Sequence, residues 1–248
     1  MDELYDDILS PAGLNSLIFD DPYAKLCFVG MLASQYCLKN RQDRQQSLPT
    51  IQKKEVIYID LDTTFTAYVK AGLLLKSATR ELVRRPISTS RPGPRSSILE
   101  DGHKSIKIYL AAEGEFESIL EDVLATISES CIVIFDSVNS FYNLYYRKIN
   151  VQSGRGLDNM NRLLSIFLML LVKHGLPLDV PILATSMIRY KKTKDWVQSP
   201  SSNRLLRAKS AVKLYVEMNN EYDISVSLIT HPLRPPGVFI FQNQGIRF

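Results

Sequence analysis

Three apolar runs limit what this chain can fold into: EVIYIDL (Glu55 to Leu61), CIVIFDSV (Cys131 to Val138) and DVPILATS (Asp179 to Ser186). Each is rich in β-branched residues and lacks the polar alternation of a half-exposed strand, so each reads as a strand covered on both faces. Helical periodicity lies between and before them. Glu115 to Ile127 sets Phe116, Ile119, Leu120, Val123, Leu124 and Ile127 along one face, and Asp158 to Lys173 is a more apolar helix with Gly175 at its expected C-cap. Tyr23 to Lys39 reads as a helix that leads into the first strand through a polar linker. Strands separated by helical crossovers imply a parallel sheet with helices on both faces, and ligands in such sheets bind beyond the carboxyl ends of the strands. Asp60, Asp62 and Asp136 stand at those ends.

The last third differs. AVKLYVEMN, ISVSLITH and GVFIFQNQG are strands joined by short turns, which predicts an antiparallel extension of the sheet. Two polar stretches, about 79–103 and 189–209, read as mobile loops of one domain spanning 1–248. Three scattered cysteines exclude a disulfide framework and read as small buried hydrophobes of a reducing compartment. The acidic start lacks the basic and apolar regions of a signal peptide, and the longest apolar run, Leu163 to Val172, falls short of a bilayer. The expectation is an intracellular protein, cytoplasmic or nuclear, without a membrane partner.

Charge is concentrated. The chain carries a net +4, yet Arg189 to Lys209 alone holds seven cations against Asp195, a net +6. Arg189, Lys191, Lys192, Lys194, Arg204, Arg207 and Lys209 alternate there with Tyr190 and Trp196, the only tryptophan. Cations track phosphates and aromatic rings stack on bases, the pairing that single-strand binding uses. Arg147, Lys148 and Arg155 add charge further upstream.

The order of motifs resembles the RecA/RadA recombinase family. IVIFDS is similar to its Walker B strand, with Asp136 as the metal-facing carboxylate. SFYNLYYRKINVQSGRGLDNMNRLLSIFLMLL resembles the first DNA-binding loop, whose Gly-Arg-Gly is matched by Gly154, Arg155 and Gly156, running into a long helix. VPILATSMI resembles the strand ending in Thr-Asn-Gln, with Thr185 kept and Ser186 and Met187 replacing the other two. The second DNA-binding loop then falls at Arg189 to Lys209, and ITHPLRPPGVFIFQNQGIRF is similar to the closing strand pair. VIYIDLDTTF resembles the run ending in Glu-Gly-Thr-Phe, with Asp62 at the catalytic glutamate.

One departure stands out. A phosphate loop needs Gly-x-x-x-x-Gly-Lys-Ser/Thr so that backbone amides curl round phosphate and the lysine reaches its oxygens. The matching stretch, SLIFDDPYAKLCFVG, has no glycine before Gly30, sets Tyr23 at the lysine position, and carries Asp20 and Asp21, which repel a triphosphate. The resemblance therefore implies an accessory subunit without conventional ATPase activity. No catalytic residue, metal, ATP or magnesium is expected, and Asp62 and Asp136 are relic positions. The implied partners are nucleic acid, single-stranded DNA before RNA, and the chain itself or another RecA-like subunit, in recombination and repair. Two alternatives stand beside it. One is a subunit of the Elongator type that binds tRNA; the other is an ATPase with an unorthodox phosphate site using Lys25 and Asp136.

Overall fold

The apolar runs become strands because both of their faces are covered. The computed structural model describes residues 8–45, 55–71, 96–101, 104–111, 115–149, 156–192, 196–200, 206, 209–220 and 223–242. The elements are β1 (Leu14–Phe19), α1 (Pro22–Gln45), β2 (Glu55–Asp60), α2 (Thr64–Lys70), β3 (Ser96–Asp101), β4 (Lys104–Leu110), α3 (Phe116–Thr126) and β5 (Ser130–Asp136). They continue with α4 (Val138–Ile149), α5 (Gly156–Gly175), β6 (Ile182–Lys192), β7 (Trp196–Pro200), β8 (Ser210–Met218), β9 (Asp223–Thr230) and β10 (Gly237–Gln242). Along β5, Ile132 and Ile134 join one core with α1, while Val133 and Phe135 join a second core with α3, α4 and α5. Both sides of the pleat are apolar, so the sequence reads as a continuous run. Each fully buried side chain of this kind contributes roughly 1.5–3 kcal/mol.

The sheet runs β10-β9-β8-β1-β6-β5-β2-β4-β3, with β7 paired to β6 alone. β8, β1, β6, β5, β2 and β4 are mutually parallel; β9 and β3 run against them, and β10, antiparallel to β9, returns to the common direction. The three strands expected from the last third, β8, β9 and β10, pair antiparallel in succession, and β8 joins them to the parallel sheet by lying parallel to β1. The arrangement is three-layered, with α1 on one face and α3, α4 and α5 on the other.

Two expected loops contain strands. The end of 79–103 supplies β3, which pairs with β4, whereas 79–95 lie outside the described residues. The stretch 189–209 opens as a two-stranded ribbon. β6 runs on past the sheet to Lys192 and turns back as β7, pairing Lys191 with Val197 and Lys192 with Trp196. By length and composition alone, Asn159–Leu178 would cross a membrane, a longer segment than the apolar run suggested. Its residues Met160, Leu164, Phe167, Leu168 and Leu171 are buried in the second core, where Phe116, Phe135, Phe141, Tyr145 and Phe167 pack ring against ring.

Candidate functional site

The carboxyl ends of β1, β5, β6 and β2 lie side by side, with Phe19 in register with Met187 and Asp60 with Asp136. What surrounds them is set first by the β1–α1 connection. β1 ends at Phe19 and α1 begins at Pro22, so only Asp20 and Asp21 join them. Asp21 caps the helix: its Oδ1 accepts the amides of Tyr23 at 2.6 Å and Ala24 at 3.2 Å. Pro22, which has no amide to satisfy, occupies the first helical position. A carboxylate of the protein's own therefore sits on the positive end of α1.

One turn into α1, Lys25 points back at the sheet. Its side chain is 3% exposed, and its Nζ lies 2.6 Å from Asp136 Oδ2, with the Phe19 ring 5.4 Å away. Tyr58 on β2 donates to the same oxygen at 2.5 Å, and Thr185 on β6 donates to Asp136 Oδ1 at 2.6 Å. Three of the roughly four lone-pair positions of the Asp136 carboxylate are filled from three different elements. Burial, and next the Asp136 carboxylate, hold the Tyr58 hydroxyl well above its ordinary range, so it stays a donor. The Asp136–Ser137 peptide is cis.

Two more carboxylates complete the group. Asp60 is fully buried; its Oδ2 accepts the Thr66 amide at 2.8 Å and the Thr66 hydroxyl at 2.6 Å, while its Oδ1 has no hydrogen-bond partner among the described residues. Burial pushes its carboxyl up to about 6 against the pull of those bonds, and the neighbouring Asp136 and Asp62 add to the rise. Asp62 is exposed and accepts the Thr64 amide at 3.0 Å and the Ser140 hydroxyl at 3.1 Å. Burial of its carboxyl alone would raise it, but the Lys25 ammonium and these bonds win, and it lies below the usual carboxylate range. Oxygens of Asp60, Asp62 and Asp136 lie within 4.8 Å of one another. Thr63, between them and α2, takes a left-handed φ of 64°, where the Glu-Gly-Thr-Phe run that this segment resembles has glycine.

Sequence reasoning singled out Asp62 and Asp136, and the structure brings them together. It missed Tyr58 and Thr66, whose hydroxyls carry no motif, and it named Lys25 only as an alternative phosphate ligand. Most of the described basic residues named from the sequence fall on two elements, and Lys209 stands just before β8. Arg147 and Lys148 lie in the last turns of α4, while Arg189, Lys191, Lys192 and Trp196 lie on the β6–β7 ribbon. Arg189 and Lys209 are exposed. Arg155, Lys194, Arg204 and Arg207 lie outside the described residues. The ribbon and α4 are tied at their bases, because the Met187 amide donates to Asn139 Oδ1 at 2.8 Å.

No family model matches the chain, and no curated protein matches its sequence. Its three-layered sheet, the strand-end carboxylates and the order of crossovers define a RecA-like α/β fold. A crystal structure of the RadB recombinase superposes on it with a TM-score of 0.60, covering 96% of this chain and 91% of that one at 15% identity. At that identity the likeness speaks to the fold.

Proposed function

We propose that this chain is a RecA-like accessory subunit that has given up ATP turnover. In this reading it binds single-stranded DNA in recombination and repair, and assembles with itself or another RecA-like protein. The observation that carries the reading is the buried Lys25–Asp136 ion pair beneath a helix end already capped by Asp21. A triphosphate needs free backbone amides, a cation that can reach its oxygens, and room in the connecting loop. Here Asp21 takes the amides, Asp136 takes the ammonium, and two aspartates form the loop. A metal on Asp136 fits no better, since its oxygens already accept from Lys25, Tyr58 and Thr185. The same geometry argues against an unorthodox ATPase built on Lys25 and Asp136, because each is committed to the other.

Nucleic-acid binding rests on the basic stretch Arg189 to Lys209, whose first part forms a ribbon rising from the edge where the carboxylates lie. The solved recombinase of the same fold favours recombination as the process. Fluorescence anisotropy with labelled single-stranded DNA, duplex DNA and tRNA, without nucleotide and across a salt series, tests it. The parent binds single-stranded DNA most tightly, with affinity falling as salt rises. The triple variant Lys191→Ala, Lys192→Ala, Arg207→Ala loses about tenfold or more, with a shallower salt slope. Preference for tRNA would favour the Elongator-type reading, and no binding at low salt would overturn the nucleic-acid assignment.

A further inference from the structure

Three carboxylates with oxygens within 4.8 Å repel one another unless a cation stands among them. By geometry alone, Asp60, Asp62 and Asp136 could hold a metal ion. In this chain an ammonium lies 2.6 Å from Asp136 Oδ2, on a side chain carried one turn into α1, and an inner-sphere metal on that oxygen would have to displace it. Thr185, which donates to the other oxygen, belongs to the inner half of β6, whose outer half is the ribbon. Met187 joins β6 to Asn139 of α4, and Ser140 of the same helix donates to Asp62. The bases of both basic segments thus bond to one carboxylate group, through Asp136 and Asp62, and the ammonium paired with Asp136 is that of Lys25.

We propose that Lys25 is the resident cation of this site, a positioning residue that takes the place of a divalent metal at Asp136 and fixes the bases of the ribbon and α4 without nucleotide or metal. The proposal deepens the reading that this chain works without ATP, and rests on it.

Its distinguishing consequence is exchange of one cation for another. Removing the ammonium leaves carboxylates that need a cation and a space for one, so a variant without it acquires a metal response that the parent lacks. Thermal unfolding of the full chain, in EDTA or in millimolar MgCl2, is followed for the parent, Lys25→Met, Asp136→Asn and the double variant. The parent melts at the same temperature in both. Lys25→Met melts lower in EDTA and recovers by about 5 °C in MgCl2. The double variant, in which the pair is replaced by neutral groups, melts above Lys25→Met in EDTA and ignores magnesium.

A Lys25→Met protein that folds and shows no magnesium response overturns the assignment. So does a parent stabilised by magnesium in a manner that Asp136→Asn abolishes. If Lys25→Met does not fold in either condition, manganese binding to the parent by electron paramagnetic resonance decides. No Asp136-dependent manganese uptake upholds the assignment, and uptake that Asp136→Asn removes overturns it. None of these readouts involves nucleic acid. Failure here leaves the DNA reading standing, and failure of the anisotropy experiment leaves Lys25 where it is.

Discussion

Asp60 is a carboxyl with one oxygen bonded twice and the other bonded to nothing among the described residues. Raised to about 6 from 3.8, it keeps its proton in the folded state at pH values where the unfolded chain has released it. Stability from this group is therefore fully present below about pH 4 and is lost as pH rises through 6, by on the order of 3 kcal/mol. Asp60→Asn keeps an acceptor for Thr66 and places a donor where the lone oxygen stands. It should flatten the pH 4–7 dependence of the unfolding midpoint and raise the midpoint at pH 7.5; an unchanged slope would show that Asp60 is not the titrating group. At this scale the sequence was half legible. Asp60, Asp62 and Asp136 could be placed because strand ends are visible as the points where β-branched runs stop. Lys25 could not be paired with Asp136, because 111 residues separate them and only the crossover through β2 brings α1 over β5.

Whether an element could be read depended on how apolar it was. β2, β5 and β6 were plain in the sequence, whereas β1 was not, since LNSLIF carries Asn15 and Ser16 at positions that are wholly buried. Asn15 is tolerated because its amide is satisfied, with Oδ1 accepting from the Ser10 amide and Nδ2 donating to the carbonyls of Ser10 and Ile182. The β6–β7 ribbon was hidden because its polar, cationic residues resemble those of a loop. Gly175 shows the same limit from the other side. It was read as a helix C-cap, yet its φ is −74°, an ordinary helical value, and the left-handed residue is Asp179 at 54°. Glycine is needed there because a Cβ would meet the Val180 carbonyl oxygen at 2.7 Å and Ile182 Cδ1 at 3.1 Å. The first of these is backbone, which also bonds back to Gly175 through the Val180 amide. Gly175→Ala should destabilise the chain by about 2 kcal/mol in urea unfolding, with an unchanged m-value. A loss under about 0.5 kcal/mol would mean that the close approach relaxes freely.

Across the whole molecule, the candidate site gathers at the carboxyl ends of the parallel strands. Parallel strands put their carboxyl ends together, so the buried aspartates of β2 and β5, the capped start of α1 and the root of the basic ribbon lie at one end of the sheet. The alternation of apolar strands with helical crossovers was readable from the sequence, and the order of motifs gave the RecA-like fold, while the place of β1 and the order of strands in the sheet were not. What the sequence could not supply was the state of that end: whether the β1–α1 connection leaves room for phosphate depends on side chains from α1, β2 and β6 meeting at Asp136. In the function proposed above, the protein's own charges close this end of the sheet to nucleotide. That closure is tested most directly by titrating the full chain into a fluorescent ATP analogue with magnesium, for the parent and for Asp136→Asn. Neither protein is expected to show saturable binding at micromolar to millimolar concentrations. Saturable, magnesium-dependent binding by the parent that Asp136→Asn abolishes would contradict that closure.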